Sequence, residues 1–263
     1  MKKKMNVLKE LIKIRFHNMM MFRLGFFGPF FVDGSLFLAQ LLVFKIIYSN
    51  IEKIGTWSQA EMILYIGSFS LINAFNMMLF FLGLNSLPYK IRSGELDLYL
   101  VKPISPLFRI SFEQINPGAM PLIIMSILII LYGHSLGNFG TSLLQVCTYI
   151  FWILIMCILF YDVEVLMRAV TLYTVSATRF NEIEEVGLEL CMQLPGIVFY
   201  GVYKVIFCIV VPYGIMATLP VKNLVGEMAI EECIFGIMIV VFFSFLVCIV
   251  WKKGIRYYNS ASS

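Results

Sequence analysis

The charged side chains that fall well inside apolar runs include Asp33, Asp162, Glu164 and Lys204. A charge at membrane depth is costly, so each points by default to a pairing or transport role. Gly28, Pro29, Gly34 and Ser35 surround Asp33, which suits either a broken helix end or a place on a cargo path or subunit contact. Lys204 has two readings. It can snorkel its ammonium to the interface, or pair inside the bundle with Asp162 or Glu164 of another run. On the second reading, Lys204→Met impairs assembly or transport. Glu182, Glu184, Glu185 and Glu189 form an acidic segment that reads as a solvated helix face or as a contact for a basic partner surface. Glu227, Glu231 and Glu232 lack the further ligands a metal site needs.

Bond-making chemistry finds no support in the residue types. No Ser/His/Asp or Cys/His set, paired-carboxylate cleft or HExxH helix is present. The two histidines, His17 and His134, have no metal-ligand spacing around them. The six cysteines form no CxxC pair, and small buried residues in apolar runs are the simplest reading. The phosphate loop GxxxxGK[ST] is missing: Gly94 and Gly254 are followed by Glu95 and Ile255, so any ATP used must bind another chain.

The elements that would position these residues follow from composition. Of 263 residues, 60% are hydrophobic and 14% charged, and the mean hydropathy is +0.88. One soluble core cannot hide that much apolar surface. The long unbroken apolar runs favour helices over the alternating strands of a membrane barrel. The expected fold is all-α, a polytopic membrane protein of six transmembrane helices in one domain, residues 1–263. The spans are 24–47, 62–84, 118–133, 142–166, 197–219 and 230–251. The third is expected to begin earlier, near Ile110, and to bend at Pro117 and Pro121. From Thr141 to Ala177 there is neither proline nor glycine, so one long helix is expected there.

Met5, Leu8, Ile12, Phe16 and Met19 recur at helical spacing opposite Lys2, Lys9 and Lys13. Residues 1–23 are therefore expected to be a helix lying in the membrane interface, its lysines on anionic lipid, rather than a cleaved signal peptide. The same lipid contact explains the basic N-terminus better than nucleic acid does. All the lysines and arginines except Lys45, Lys53, Lys204 and Lys222 fall in the N-terminal segment, the 85–117 loop, the 167–196 segment and the C-terminal tail. An even number of spans with both termini cytoplasmic satisfies this asymmetry.

The 85–117 loop is dense in turn and charge signals. Ser93-Gly94 marks a turn, and Glu95 and Asp97 favour a helix start. Leu96, Leu98, Tyr99, Leu100 and Val101 supply an apolar face, and Lys102-Pro103 ends the helix. Pro106 stiffens the return to the bilayer. A short capped helix projecting from two spans suits mechanical coupling to a soluble partner, and a plain connecting loop is the alternative.

The run Arg92, Gly94, Leu96, Asp97, Leu100, Pro103, Pro106, Leu107 resembles the cytoplasmic loop of ABC-2-type transporter permeases, most closely the bacterial branch of small six-span members. Trp251, Gly254, Ile255, Tyr257, Tyr258 and Ser260 resemble the end of that group, and Pro212, Pro220 and Leu224 its fifth span. The resemblance implies a permease subunit in the bacterial inner membrane that holds no cofactor of its own. ATP and Mg would bind a separate ABC ATPase. It further implies that the loop, with Arg92, Gly94, Glu95, Leu96, Asp97, Leu100, Pro103 and Pro106, docks on that ATPase. A second permease, identical or different, would complete the pathway, and export of an unknown substrate is the expected direction. A membrane sensor or immunity protein on the same scaffold is the competing function.

Overall fold

The computed structural model describes residues 23–174 and 178–258, with the side chains of 23–30, 33, 178–181 and 183 outside the description. The expected interfacial helix therefore lies outside the described residues. Among those described the chain is helical, with one isolated bridge between Ile54 and Trp57 and no strand.

Helix α1 (Arg23–Tyr48) leads through an irregular loop to α2 (Gln59–Leu79). The second helix starts earlier than expected because Ser58 and Glu61 form a capping pair, with the Ser58 amide donating to Glu61 Oε2 at 2.7 Å. Short helices follow: α3 (Phe81–Asn85), α4 (Leu87–Arg92), α5 (Asp97–Leu100) and α6 (Pro106–Phe112). A 3-10 turn at Pro117–Ala119 opens α7 (Met120–Gly137). Ile110 thus belongs to a separate helix and not to the third span. Residues 113–119, with Pro117 among them, separate the two helices, since proline leaves no amide to continue the ladder. Helix α8 (Leu143–Ala169), extended by a 3-10 turn to Leu172, is the expected long helix as far as residue 172. Its start is fixed by a second capping box, Ser142 with Gln145.

Beyond α8 the structure departs from the expectation. Helix α9 (Thr178–Gln193) exposes Glu182, Glu185 and Glu189, as a solvated face would, but buries Glu184. Near its middle Glu184 meets Arg168 at the end of α8. At its finish the Tyr65 hydroxyl donates to the Cys191 and Leu194 carbonyls, and Gln40 Nε2 donates to the Met192 carbonyl at 2.9 Å. Tyr65 and Gln40 lie toward the opposite end, so α9 runs antiparallel to α8 between these two levels.

The run 197–219 is correspondingly not one helix. Helix α10 (Gly201–Val205) passes through a π turn at Ile206–Val210 and breaks. Helices α11 (Tyr213–Met216) and α12 (Thr218–Val225) then leave at 74° to it. Pro212 causes the break. It donates no amide, and it pushes Val211 out of the helical region, to φ −125° and ψ 83°. Both ends of this hairpin sit at one end of the bundle. Ile197 meets Gly55 there, and Thr148 donates to Asn223 Oδ1 at 2.9 Å. Its tip reaches inward to Phe160 and Glu184 through Tyr213. Helix α13 (Ile230–Tyr257) returns to the loop end and extends past the expected 251.

Among the described residues four stretches are long and apolar enough to cross a membrane, Gln59–Leu79, Pro117–Gly137, Leu143–Leu172 and Ile230–Tyr257, and the bent pair Gly201–Val210 with Tyr213–Val225 makes a fifth if it is one broken span. Of the four, α2 is the central one, 72% buried along its apolar window against 28–33% for the other three. Its closest neighbour is α7, and glycines make that approach possible. A Cβ on Gly67 would lie 3.0 Å from the Ile130 amide, and one on Gly133 3.0 Å from the Leu64 amide. Small residues let helices pack closely where lipid supplies no hydrophobic drive between them.

Candidate functional site

The 85–117 loop forms a fastened platform at the end of the bundle that also holds the C-terminal end of α13. Its turn is set by Gly94, whose φ of +74° is unfavourable for any residue with a Cβ. The Leu96 amide then bonds back to the Lys90 carbonyl at 3.1 Å, closing the turn. Helix α5 is a single turn, too short to persist alone. Two attachments hold it.

The first is apolar. Leu96 is fully buried in a small core with Leu87, Ile110, Ala169 and Leu172. That core joins α5 to α4, α6 and the end of α8. Gly254 of α13 packs against Leu172 on the other side. Burying a leucine side chain contributes roughly 1.5–3 kcal/mol.

The second is polar and escaped sequence reasoning. The Lys90 ammonium sits 2.7 Å from Glu113 Oε1 and donates to the Tyr99 hydroxyl at 2.9 Å. The Tyr99 hydroxyl in turn donates to Glu113 Oε2 at 2.7 Å. Lys90 thus links α4 to α5 and to the residue that ends α6. Lys90, Lys102 and Arg109 also lie 4.9, 5.9 and 5.1 Å from the Tyr99 ring centre, within the range of cation–π attraction. Burial alone would depress the Lys90 pKa, but the hydrogen bonds and charges of Glu113 and Tyr99 outweigh it and hold the ammonium above its ordinary value. Burial raises the Tyr99 phenol; Lys90 opposes that and Glu113 reinforces it. The legible signal was the number of charges around one tyrosine, but a loop sequence does not show which of them converge.

The platform is wired to the long helices. Ser111 of α6 shares a hydrogen bond with Tyr161 of α8 at 3.0 Å. The Phe80 ring, at the end of α2, packs on Tyr161 and Phe112 at 5.0 and 6.1 Å. The backbone of α6 at Ile110 and Ser111 lies so close to Gly83 that no Cβ fits there.

The residues singled out from the sequence divide by exposure. Leu96 is buried and structural. Pro106 occupies the first position of α6, where proline is well tolerated. Arg92 is exposed and its Nε reaches the Pro88 carbonyl at 3.4 Å. Glu95 is half-exposed and 3.7 Å from Lys90. Asp97 begins α5, and its carboxylate helps burial raise the Tyr258 phenol. Pro103 is exposed and Leu100 partly so. The outer crown of the platform is apolar: Leu98 is 59% and Val101 81% exposed.

The intramembrane charges are arranged differently from the expectation. Asp162 accepts a hydrogen bond from Ser244 of α13 and does not pair with Lys204. Glu164 lies 3.3 Å from Arg168, one turn along α8, and accepts from Asn76 of α2 at 3.4 Å. Arg168 also pairs with Glu184 of α9, which accepts from Tyr213 of α11 at 3.0 Å. Glu164, Arg168 and Glu184 are each nearly inaccessible. Lys204 is exposed on α10, in the hairpin whose ends lie at the opposite end of the bundle from the loop. The reason is topological: α9 carries the chain across before Lys204 is reached. Glu184 is likewise buried and ion-paired, whereas Glu182, Glu185 and Glu189 are exposed. The Glu164–Arg168 spacing of four was readable on one helix face; the Glu184 contact was not. Asp33 lies on α1 with its side chain outside the described residues. No group of side chains able to hold a metal occurs among the described residues.

A family model described as ABC-2 family transporter protein matches residues 35–262, which include the platform and every long helix after the start of α1. No curated protein and no solved structure matches the chain.

Proposed function

The chain belongs to the ABC-2 transporter family, a multi-pass membrane permease of an ABC transporter, and we propose that the 85–117 platform is where a separate ATPase drives it. Membership implies association with an ABC ATPase. The observation that carries the finer reading is the apolar crown of Leu98 and Val101 on a turn braced from beneath by Leu96 and the Lys90–Tyr99–Glu113 network. Exposed apolar residues on a rigid support make a docking surface, and a rigid support transmits displacement.

On this reading the ATPase binds ATP and Mg and supplies the hydrolysis, while this chain holds neither. Closing and opening of the ATPase displaces α5. The Phe80, Ser111 and Tyr161 contacts pass the displacement to α2 and α8. The cycle exports cargo through a pathway completed by a second permease. The membrane is the bacterial inner membrane, with the platform and both termini on the cytoplasmic side, as the distribution of lysine and arginine favours. No residue of this chain makes or breaks a bond in the cycle.

The test is co-purification of the ATPase with the full chain, followed by its activity in reconstituted membranes. Leu98→Asp with Val101→Asp changes only exposed positions. It is expected to release the ATPase while the permease stays folded, and Asp97→Lys to weaken the same grip. Retained co-purification and unchanged ATPase stimulation in both variants would refute the docking role.

A further inference from the structure

A cavity of about 680 Å³ lies between α1, α2 and α9, away from the platform. Its size is in the range that drug-sized ligands occupy. The walls are mainly apolar, with the buried Phe37 and Phe44 contributed by α1. Besides Gln40, whose Nε2 donates to the Met192 carbonyl, three features break that apolarity. Ser70 lines the cavity from α2, is 2% exposed, and its hydroxyl has no hydrogen-bond partner. Such a buried hydroxyl costs free energy unless something satisfies it, and its oxygen lone pairs can turn toward positive charge. The Asn73 amide lies one turn further along the same helix. Glu189 and Gln193, both exposed, form the polar rim on α9.

The charge of this lining is one-sided. Glu189 brings a carboxylate, and no lysine, arginine or histidine is among the described lining residues. Glu189 also enters no ion pair among the described residues. A carboxylate at the mouth of an apolar, low-dielectric chamber attracts a cation and repels an anion. Aromatic rings in the wall add to the preference for positive charge. We infer that this cavity binds a lipophilic monocation, its apolar body between α1 and α2 and its charge toward Glu189. That the occupant is cargo rests on the permease reading; that it binds does not.

Binding of radiolabelled tetraphenylphosphonium to the full chain in phosphatidylcholine nanodiscs tests this, with empty nanodiscs subtracted and no ATPase present. Tetraphenylborate, of the same shape and opposite charge, is the comparison. Saturable binding of the phosphonium, displaced by unlabelled phosphonium and not by borate, is the expected result. Glu189→Gln at the exposed rim should weaken it about fivefold, the upper range for an exposed charge pair. Ala39→Trp, at an exposed wall position, should abolish it by filling the space. Non-saturable uptake, equal binding of the two ions, or an unchanged affinity in Glu189→Gln would overturn the inference. Because the ATPase is absent, a failure of platform docking leaves this result untouched, and the reverse also holds.

Discussion

Replacing Lys90 with methionine tests the platform at its fastening. Lys90 has only 8% of its side chain exposed and Glu113 14%, so their 2.7 Å contact is shielded from solvent more than a surface pair would be. Hydrogen bonds to charged groups contribute about 1.5–3 kcal/mol each. Lys90 makes two short contacts, to Glu113 and to Tyr99, while the longer contact to the half-exposed Glu95 adds little. Allowing for non-additivity, Lys90→Met should weaken the attachment of α5 by about 2–3 kcal/mol. That corresponds to roughly a 30- to 150-fold rise in the detached population. The long helices do not depend on Lys90, so the change should be local. Hydrogen exchange on the full chain in nanodiscs reads this directly, through the amides of Tyr99, Leu100 and Val101, which bond to Leu96 and Asp97. These amides should exchange faster by that factor while those of α2 and α8 stay unchanged, and ATPase stimulation should fall in parallel. Unaltered protection of Tyr99–Val101 would show that Leu96 alone holds the turn and that the polar network is incidental.

Three further outcomes follow from the packing. Arg168→Met leaves Glu164 and Glu184 buried without their shared cation, and breaking a buried pair costs about 3–5 kcal/mol; membrane levels and thermal melting should both drop, with partial rescue by Arg168→Lys. Gly67→Val drives a branched side chain into Ile130 and should lower the melting temperature in detergent through overpacking of about 1–3 kcal/mol; an unchanged melt would mean that α2 and α7 separate freely. Lys204→Met should be nearly silent in stability, within about 0.5 kcal/mol, because the side chain is exposed and pairs with neither Asp162 nor Glu164; a collapse in membrane levels would reinstate the buried pair, the second of the two readings of Lys204.

Composition and hydrophobic runs were enough to establish an all-helical membrane protein and to locate α2, α7, α8 and α13, because a bilayer demands long apolar helices whatever packs around them. The Ser93-Gly94 turn and the short helix after it were also legible, since glycine and proline act locally. The path between residues 178 and 225 was not. Helix α9 carries Glu182, Glu184, Glu185 and Glu189 and reads as a solvated segment by any local measure, yet Arg168 and Tyr213 neutralise and cap Glu184 inside the bundle. The apolar run after it reads as one straight span and is instead broken at Pro212, its two arms bent by 74°. Local sequence reports what each residue costs in an average environment. Only the tertiary arrangement decides which partners lift that cost, and so it alone put Lys90 beneath Tyr99, Arg168 between two glutamates, and a lone carboxylate at the mouth of an apolar cavity.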